Sequence, residues 1–155
     1  MTDGAKVLQK IKAFVKTKKE KHIALFVDGP NLLRKDLKVD LSKVKERLEK
    51  YGQVKVARVF LDQYASDKLI EAVTNQGFEV VIVPSDVDVA LAVDAARFIY
   101  HERMDIIAIA SRDSDFKPLL TKAKETGKET IVIGCDPDFS VALQNTADVV
   151  LKLNE

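Results

Sequence analysis

The chain has 155 residues, 46% of them hydrophobic, with a formal net charge of +1; that suits one globular domain with a sizeable core. A single cysteine, Cys135, excludes an internal disulfide and a zinc site built on several cysteines. No apolar run approaches the ~18 residues of a membrane span, and the N-terminus lacks the apolar stretch of a secretory signal, so a soluble cytoplasmic protein is expected.

The charge is unevenly spread. Residues 1–22 carry seven Lys against Asp3 and Glu20, whereas the rest of the chain holds 18 basic and 22 acidic groups. Within the first stretch, Val7, Leu8, Ile11, Phe14 and Val15 recur near helical spacing with Lys opposite. The pattern predicts an amphipathic helix over 5–19, within a basic arm of residues 1–21. Its Lys face is either a solvated surface or an attractor of phosphate backbone. Its apolar stripe would cap the body or join two subunits as a homodimer.

Strand and helix patterns then alternate through residues 22–155. The short apolar run at 23–27 has the form of a parallel strand buried on both faces. A helix is predicted over 40–52, with Asp40 or Ser42 at its start and Gly52 as its stop. A strand at 54–61, a helix at 66–77, a strand at 78–83 and a helix at 88–103 follow. A strand at 105–110, a helix at 116–127, a strand at 130–134, a short helix near 139–146 and a strand at 148–153 complete the series. Regular alternation with short connections implies a sheet of about six strands covered by helices on both faces.

In such sheets ligands bind outside the carboxyl ends of the strands. Asp28, Asp62, Asp86 and Asp88, Asp113 and Asp115, and Asp136 and Asp138 each follow a predicted strand. Asp is also a favoured cap and turn residue, which suffices for Asp62, Asp136 and Asp138. Asp113 and Asp115 flank Ser114, and one cap needs only one of them. Asp94 lies in "VDVALAVDAA" (87–96), apolar nearly all round and so expected to be buried. A buried carboxylate needs a partner. Arg97 at i+3 would serve, or a divalent cation shared with Asp28, Asp113 and Asp115. Hard oxygen donors without His or Cys nearby select Mg²⁺ or Mn²⁺. In "VDGPNLL" (27–33), Gly29 and Pro30 break the chain past the first strand and carry Asn31 back toward that edge, either as a turn residue or as a group orienting a carboxylate or phosphate.

"VDGPNL" (27–32), "DVDVALAVDA" (86–95) and "SRDSDF" (111–116) together resemble the three motifs of the NYN domain family, the LabA-like group within the PIN-like nuclease superfamily. The resemblance spans roughly residues 22–152. It implies a Rossmann-like three-layer α/β sandwich with a mainly parallel central sheet. It also implies metal-dependent ribonuclease activity, with single-stranded RNA as substrate. The acids carried over are Asp28, Asp94, Asp113 and Asp115, as metal-binding and catalytic residues. Asn31 and Asp88 would orient them, and Ser111 would hold the loop. Two positions depart from the family pattern. Ser85-Asp86 stands where Lys-Gly is common, and Arg112 stands where Gly is common. Arg112 would bind phosphate, pair with an acid, or fill the site. The competing reading is a non-catalytic RNA-binding or scaffold module. Other acid-edged α/β enzymes fit less well: a phosphatase of the haloacid-dehalogenase type wants Asp-x-Asp where this chain has Asp28-Gly29-Pro30.

Overall fold

The computed structural model describes residues 4–5 and 20–154. Of the arm predicted over 1–21 only residues 4–5 and 20–21 are described, and the helix predicted over 5–19 lies outside the described residues but for Ala5. From His22 the chain forms six strands: β1 (His22–Asp28), β2 (Gln53–Asp62), β3 (Glu79–Val83), β4 (Ile106–Ala110), β5 (Glu129–Gly134) and β6 (Val149–Lys152). They make one sheet in the order β3-β2-β1-β4-β5-β6. Every pairing is parallel, where a mainly parallel sheet was expected.

Six α-helices and two single-turn 3-10 helices (Lys35–Leu37 and Ser114–Phe116) connect the strands. The α-helices are α1 (Gly29–Leu32), α2 (Leu41–Leu48), α3 (Asp67–Asn75), α4 (Val87–Ile99), α5 (Lys117–Glu125) and α6 (Val141–Thr146). Alternation along the strands builds two cores. Ile23, Leu25 and Val27 of β1 pack with Leu32, Leu41, Val44, Leu48 and Val73 on one face. Ala24 and Phe26 pack with Leu91, Phe98, Leu120 and Leu143 on the other. A strand buried on both faces must be apolar at every position, which is why this run shows no alternation of polar residues.

Local chemistry sets the element ends. The Ser66 and Ser140 side chains accept from the main-chain N–H groups of Leu69 and Leu143, starting α3 and α6. Asp40 does the same for Ser42 at α2. The helix predicted to reach 103 stops at Ile99. Beyond it Met104 is buried, and Lys128 Nζ donates to the carbonyls of His101 and Met104 at 2.7 and 2.6 Å. The buried methionine and the capped carbonyls favour a turn into β4 over another helical turn.

Register brings the strand ends level. Asp28 lies opposite Phe60, Val27 opposite Ala110, and Ala110 opposite Ile133. The chain builds β1, β2 and β3 in one direction, then crosses back through α4 to lay β4 on the other side of β1. That reversal leaves a crevice beyond the ends of β1 and β4.

Gly29 lets the chain turn into that crevice. A Cβ there would sit 2.4 Å from Leu61 Cδ2 and 2.5 Å from the Phe60 carbonyl oxygen. Backbone cannot yield as a side chain does. Gly29→Ala is therefore expected to cost about 2–3 kcal/mol, read as a lower urea midpoint with an unchanged slope.

Candidate metal centre

The crevice is walled by Asp28, Pro30, Asn31, Asp62, Ser85, Asp86, Val87, Asp88 and Asp113, around a cavity of about 450 Å³. Carboxylates reach it from separate parts of the chain. Asp28 ends β1, Asp88 opens α4, and Asp113 and Asp115 follow β4. Ligating oxygens of Asp88, Asp113 and Asp115 all lie within 4.8 Å of one another.

Asp28 is the buried member, 5% exposed. Burial pushes its carboxyl up to about 6, and the negative charges of Asp113 and Asp88 push the same way. Hydrogen bonds from Ser111 and from the Asn31 main chain pull against that rise. Ser111 Oγ donates to Asp28 Oδ2 at 3.1 Å and accepts from the Asp113 N–H at 3.1 Å. One buried hydroxyl thus ties the end of β1 to the loop after β4, the holding role expected of it. Asp113 in turn accepts from the Asp115 N–H at 2.9 Å, so the spacing of this acidic pair includes a cap.

A raised carboxyl constant means that the folded protein holds this proton more tightly than the unfolded chain does. The contribution of Asp28 to stability is therefore greatest below pH 4 and falls as pH rises toward about 6. The loss amounts to roughly 3 kcal/mol. In EDTA, the stability difference between Asp28→Asn and wild type should move by about that much in favour of the variant between pH 4 and pH 7. Urea titrations at the two pH values measure it.

Asn31 has its carbonyl end fixed. Its Oδ1 accepts from the Arg112 N–H at 2.9 Å and from Arg112 Nε at 3.3 Å, which leaves its Nδ2 donors for the cavity. Arg112 itself is 5% exposed. Nη1 donates to the Pro137 carbonyl at 2.6 Å and Nη2 to the Asn31 carbonyl at 2.9 Å. Its guanidinium bonds carbonyl oxygens, and among the described residues no acid pairs with it, which corrects the expectation of an acidic partner.

Asp94 is also placed differently from expectation. It lies six residues along α4 from Asp88, about 9 Å at 1.5 Å per residue, and so below the strand ends. Its oxygens accept from Arg58 Nη1 at 2.8 Å and Arg97 Nη2 at 2.9 Å. The structure brings together Asp88, Asp113 and Asp115, sets Asp28 in the same cavity wall as Asp88 and Asp113, and leaves Asp94 outside both sets. Arg97 is the partner the helical spacing offered. Arg58, from the second strand, is one it did not reveal.

Asp86, at the N-cap of α4, has φ of +46°. Glycine is the usual residue for that conformation, and Asp is among the few others that adopt it readily. That accounts for acid in place of glycine in the central motif. Asp62 and Asp86 add negative charge to the cavity wall, where the sequence favoured capping or solvation for Asp62. It does cap, accepting from the Tyr64 N–H at 2.9 Å, and the sheet order also sets it beside β1. The two histidines, His22 and His101, lie at the opposite edge, one opening β1 and the other following α4.

The chain has relatives in sequence and in fold. In sequence, the chain is 55% identical over 140 residues to the uncharacterized protein MJ0482 of Methanocaldococcus jannaschii, a match covering 90% of this chain and 58% of that protein. The chain therefore spans little more than half the length of that relative. In structure, it resembles the crystal structure of VPA0982, a protein of unknown function from Vibrio parahaemolyticus. The TM-score is 0.78 at 20% identity, covering 90% of this chain and 96% of the other, which is a likeness of fold. The family model for the NYN domain matches residues 22–154, taking in all six strands and every acid of the crevice. With the three motifs set at the strand ends that form it, the chain belongs to the NYN domain family.

Proposed function

We propose that the protein is a metal-dependent ribonuclease that hydrolyses RNA phosphodiester bonds at the carboxyl edge of its sheet. One observation carries the reading. Asp28, Asp88, Asp113 and Asp115 converge, and among the described residues no salt bridge reaches any of them. Asp94, by contrast, has two arginines. Converging carboxylates without a cationic partner raise one another's proton affinity, and the raised carboxyl of Asp28 is that effect added to burial.

The donor set fits a hard divalent cation, Mg²⁺ or Mn²⁺: oxygen donors only, several of them anionic, on an open wall that leaves room for water. Asp28, Asp88, Asp113 and Asp115 would hold it. When bound, such an ion lowers the pKa of a water and offsets charge on phosphate oxygens. The chain's own groups do the rest. Ser111 sets the Asp28 carboxylate and the Asp113 loop at fixed separation. Asn31, held by Arg112, presents amide donors toward a phosphate oxygen. Asp62 and Asp86 extend the negative wall, which repels a phosphate chain unless cations are present.

RNA as substrate, single-stranded in particular, rests on the family's known activity. The test is cleavage of single-stranded RNA by the full chain in Mn²⁺, in Mg²⁺ and in EDTA. Cleavage in either metal that EDTA abolishes supports the proposal. RNA binding without cleavage in both metals would replace it with the non-catalytic module.

A further inference from the structure

The helix that presents Asp88 to the crevice builds a second feature along its flank. Ala90, Val93, Asp94 and Arg97 of α4 face Arg58 and Phe60 of β2 and Glu79 and Val81 of β3, across a groove of about 670 Å³. The groove opens between α4, which packs over β1 and β2, and the edge strand β3. Among the described residues six large hydrophobic side chains are exposed. Three of them, Val89, Val93 and Tyr100, lie along α4 and its cap, and Val93 lines the groove. Exposed apolar residues scattered singly need no explanation, but a gathered set bordering an apolar groove marks an interaction surface.

The charges say which kind. Arg58 bonds Glu79 and Asp94, each at 2.8 Å, and Arg97 bonds Asp94 at 2.9 Å. Both guanidinium groups lie over the Phe98 ring, at 5.2 and 4.8 Å. Two bases balance two acids, so the groove offers no net field to a phosphate chain, the term that dominates nucleic-acid binding. The groove is also complementary to itself. The hole, floored by Phe60 and Val81, adjoins the knob, Val93, which is 68% exposed. Its rim carries one acid and one base with equally exposed side chains, Glu79 and Arg97, 62% each. A two-fold axis sets knob into hole twice and acid beside base twice.

The two sheet edges each carry one charged residue and differ in what reaches their main chain. At β6, Arg47 donates to the Lys152 carbonyl and a charged residue ends the strand. At β3, with sequence Glu-Val-Val-Ile-Val, Glu79 is the one charge and no described strand pairs on its outer side. An unguarded edge of this kind is ordinarily covered.

We propose that this groove, with the outward stripe of α4, is a homodimer interface occupied by a second copy of this chain. Val93 and Val89 of each copy enter the groove of the other, and the contact covers the β3 edge. The proposal is independent of the chemistry at the crevice, and its readout is mass alone. Light scattering or sedimentation of the full chain should give twice the 17.3 kDa chain mass. Val93→Glu and Val89→Glu, both at exposed positions, should each raise the dissociation constant on the order of 100-fold with an unchanged far-UV spectrum. Tyr64→Glu, exposed but distant, should leave the dimer intact. A wild-type chain of single mass at tens of micromolar overturns the proposal. So does a dimer that neither valine substitution weakens, which would assign the contact to another surface, such as residues 1–19.

Discussion

Asp113→Asn is expected to abolish Mn²⁺ uptake by the folded protein, and Asp94→Asn to leave that uptake unchanged. Asp113 shares its 4.8 Å neighbourhood with Asp88 and Asp115 and adds its charge to that of Asp28. Asn keeps the oxygen that accepts from the Asp115 N–H, so the turn survives and only the anionic donor is lost. A hard cation discriminates strongly between carboxylate and amide. RNA cleavage should fall on the order of 10³-fold, equivalent to about 4 kcal/mol of transition-state stabilisation. Asp94→Asn removes a charge from between Arg58 and Arg97 instead. Its cost falls on folding, about 1–3 kcal/mol for hydrogen bonds to charged groups. Calorimetric titration with Mn²⁺ and a thermal melt of each variant separate the two effects. Loss of uptake in the Asp94 variant, with retention in the Asp113 variant, would reverse the assignment.

Arg112→Ala is expected to be the most destabilising single change at the crevice, at about 3 kcal/mol and on the order of 10 °C in Tm. Its guanidinium joins three loops: it donates to the carbonyl and the side chain of Asn31 after β1 and to the Pro137 carbonyl after β5, from its own place after β4. Truncation strands those carbonyls and removes a buried side chain. It also removes one of the two donors that hold the Asn31 side chain, the main-chain N–H at 112 remaining, so any RNA binding by the variant should weaken through a less ordered wall. Arg112→Lys should recover only part of the loss, since one ammonium cannot reproduce a planar fork reaching three acceptors. Thermal melts of the three proteins in EDTA provide the measurement. A melting point for Arg112→Ala within 2 °C of wild type would show the strut to be dispensable, judged on the ~2–4 °C per kcal/mol of a domain this size.

Much was legible from the chain alone. The unbroken apolar run at 23–27 announced a strand buried on both faces and 105–110 read as a strand, and β1 and β4 are the central pair. Three motifs marked the edge where acids meet, and Asp28, Asp113 and Asp115 do lie there. Those readings succeeded because they rest on local rules: burial sets composition, and strand ends set where polar loops begin. The placements that failed depend on distance between elements. Asp94 and Asp88 share one apolar helix in the sequence. Only the packing of α4 against β2 shows that one reaches the strand ends and the other reaches Arg58. Arg112 carried the same ambiguity, because nothing in "SRDSDF" tells which way its side chain turns.

The sequence by itself determined that an alternating α/β sheet would carry its carboxylates at one rim, since periodicity and element order leave few other arrangements. The tertiary structure alone decided which carboxylates have cationic partners and which have none. Charge compensation depends on separations of a few ångströms between residues far apart in the chain, and those separations exist only once helices have docked on the sheet.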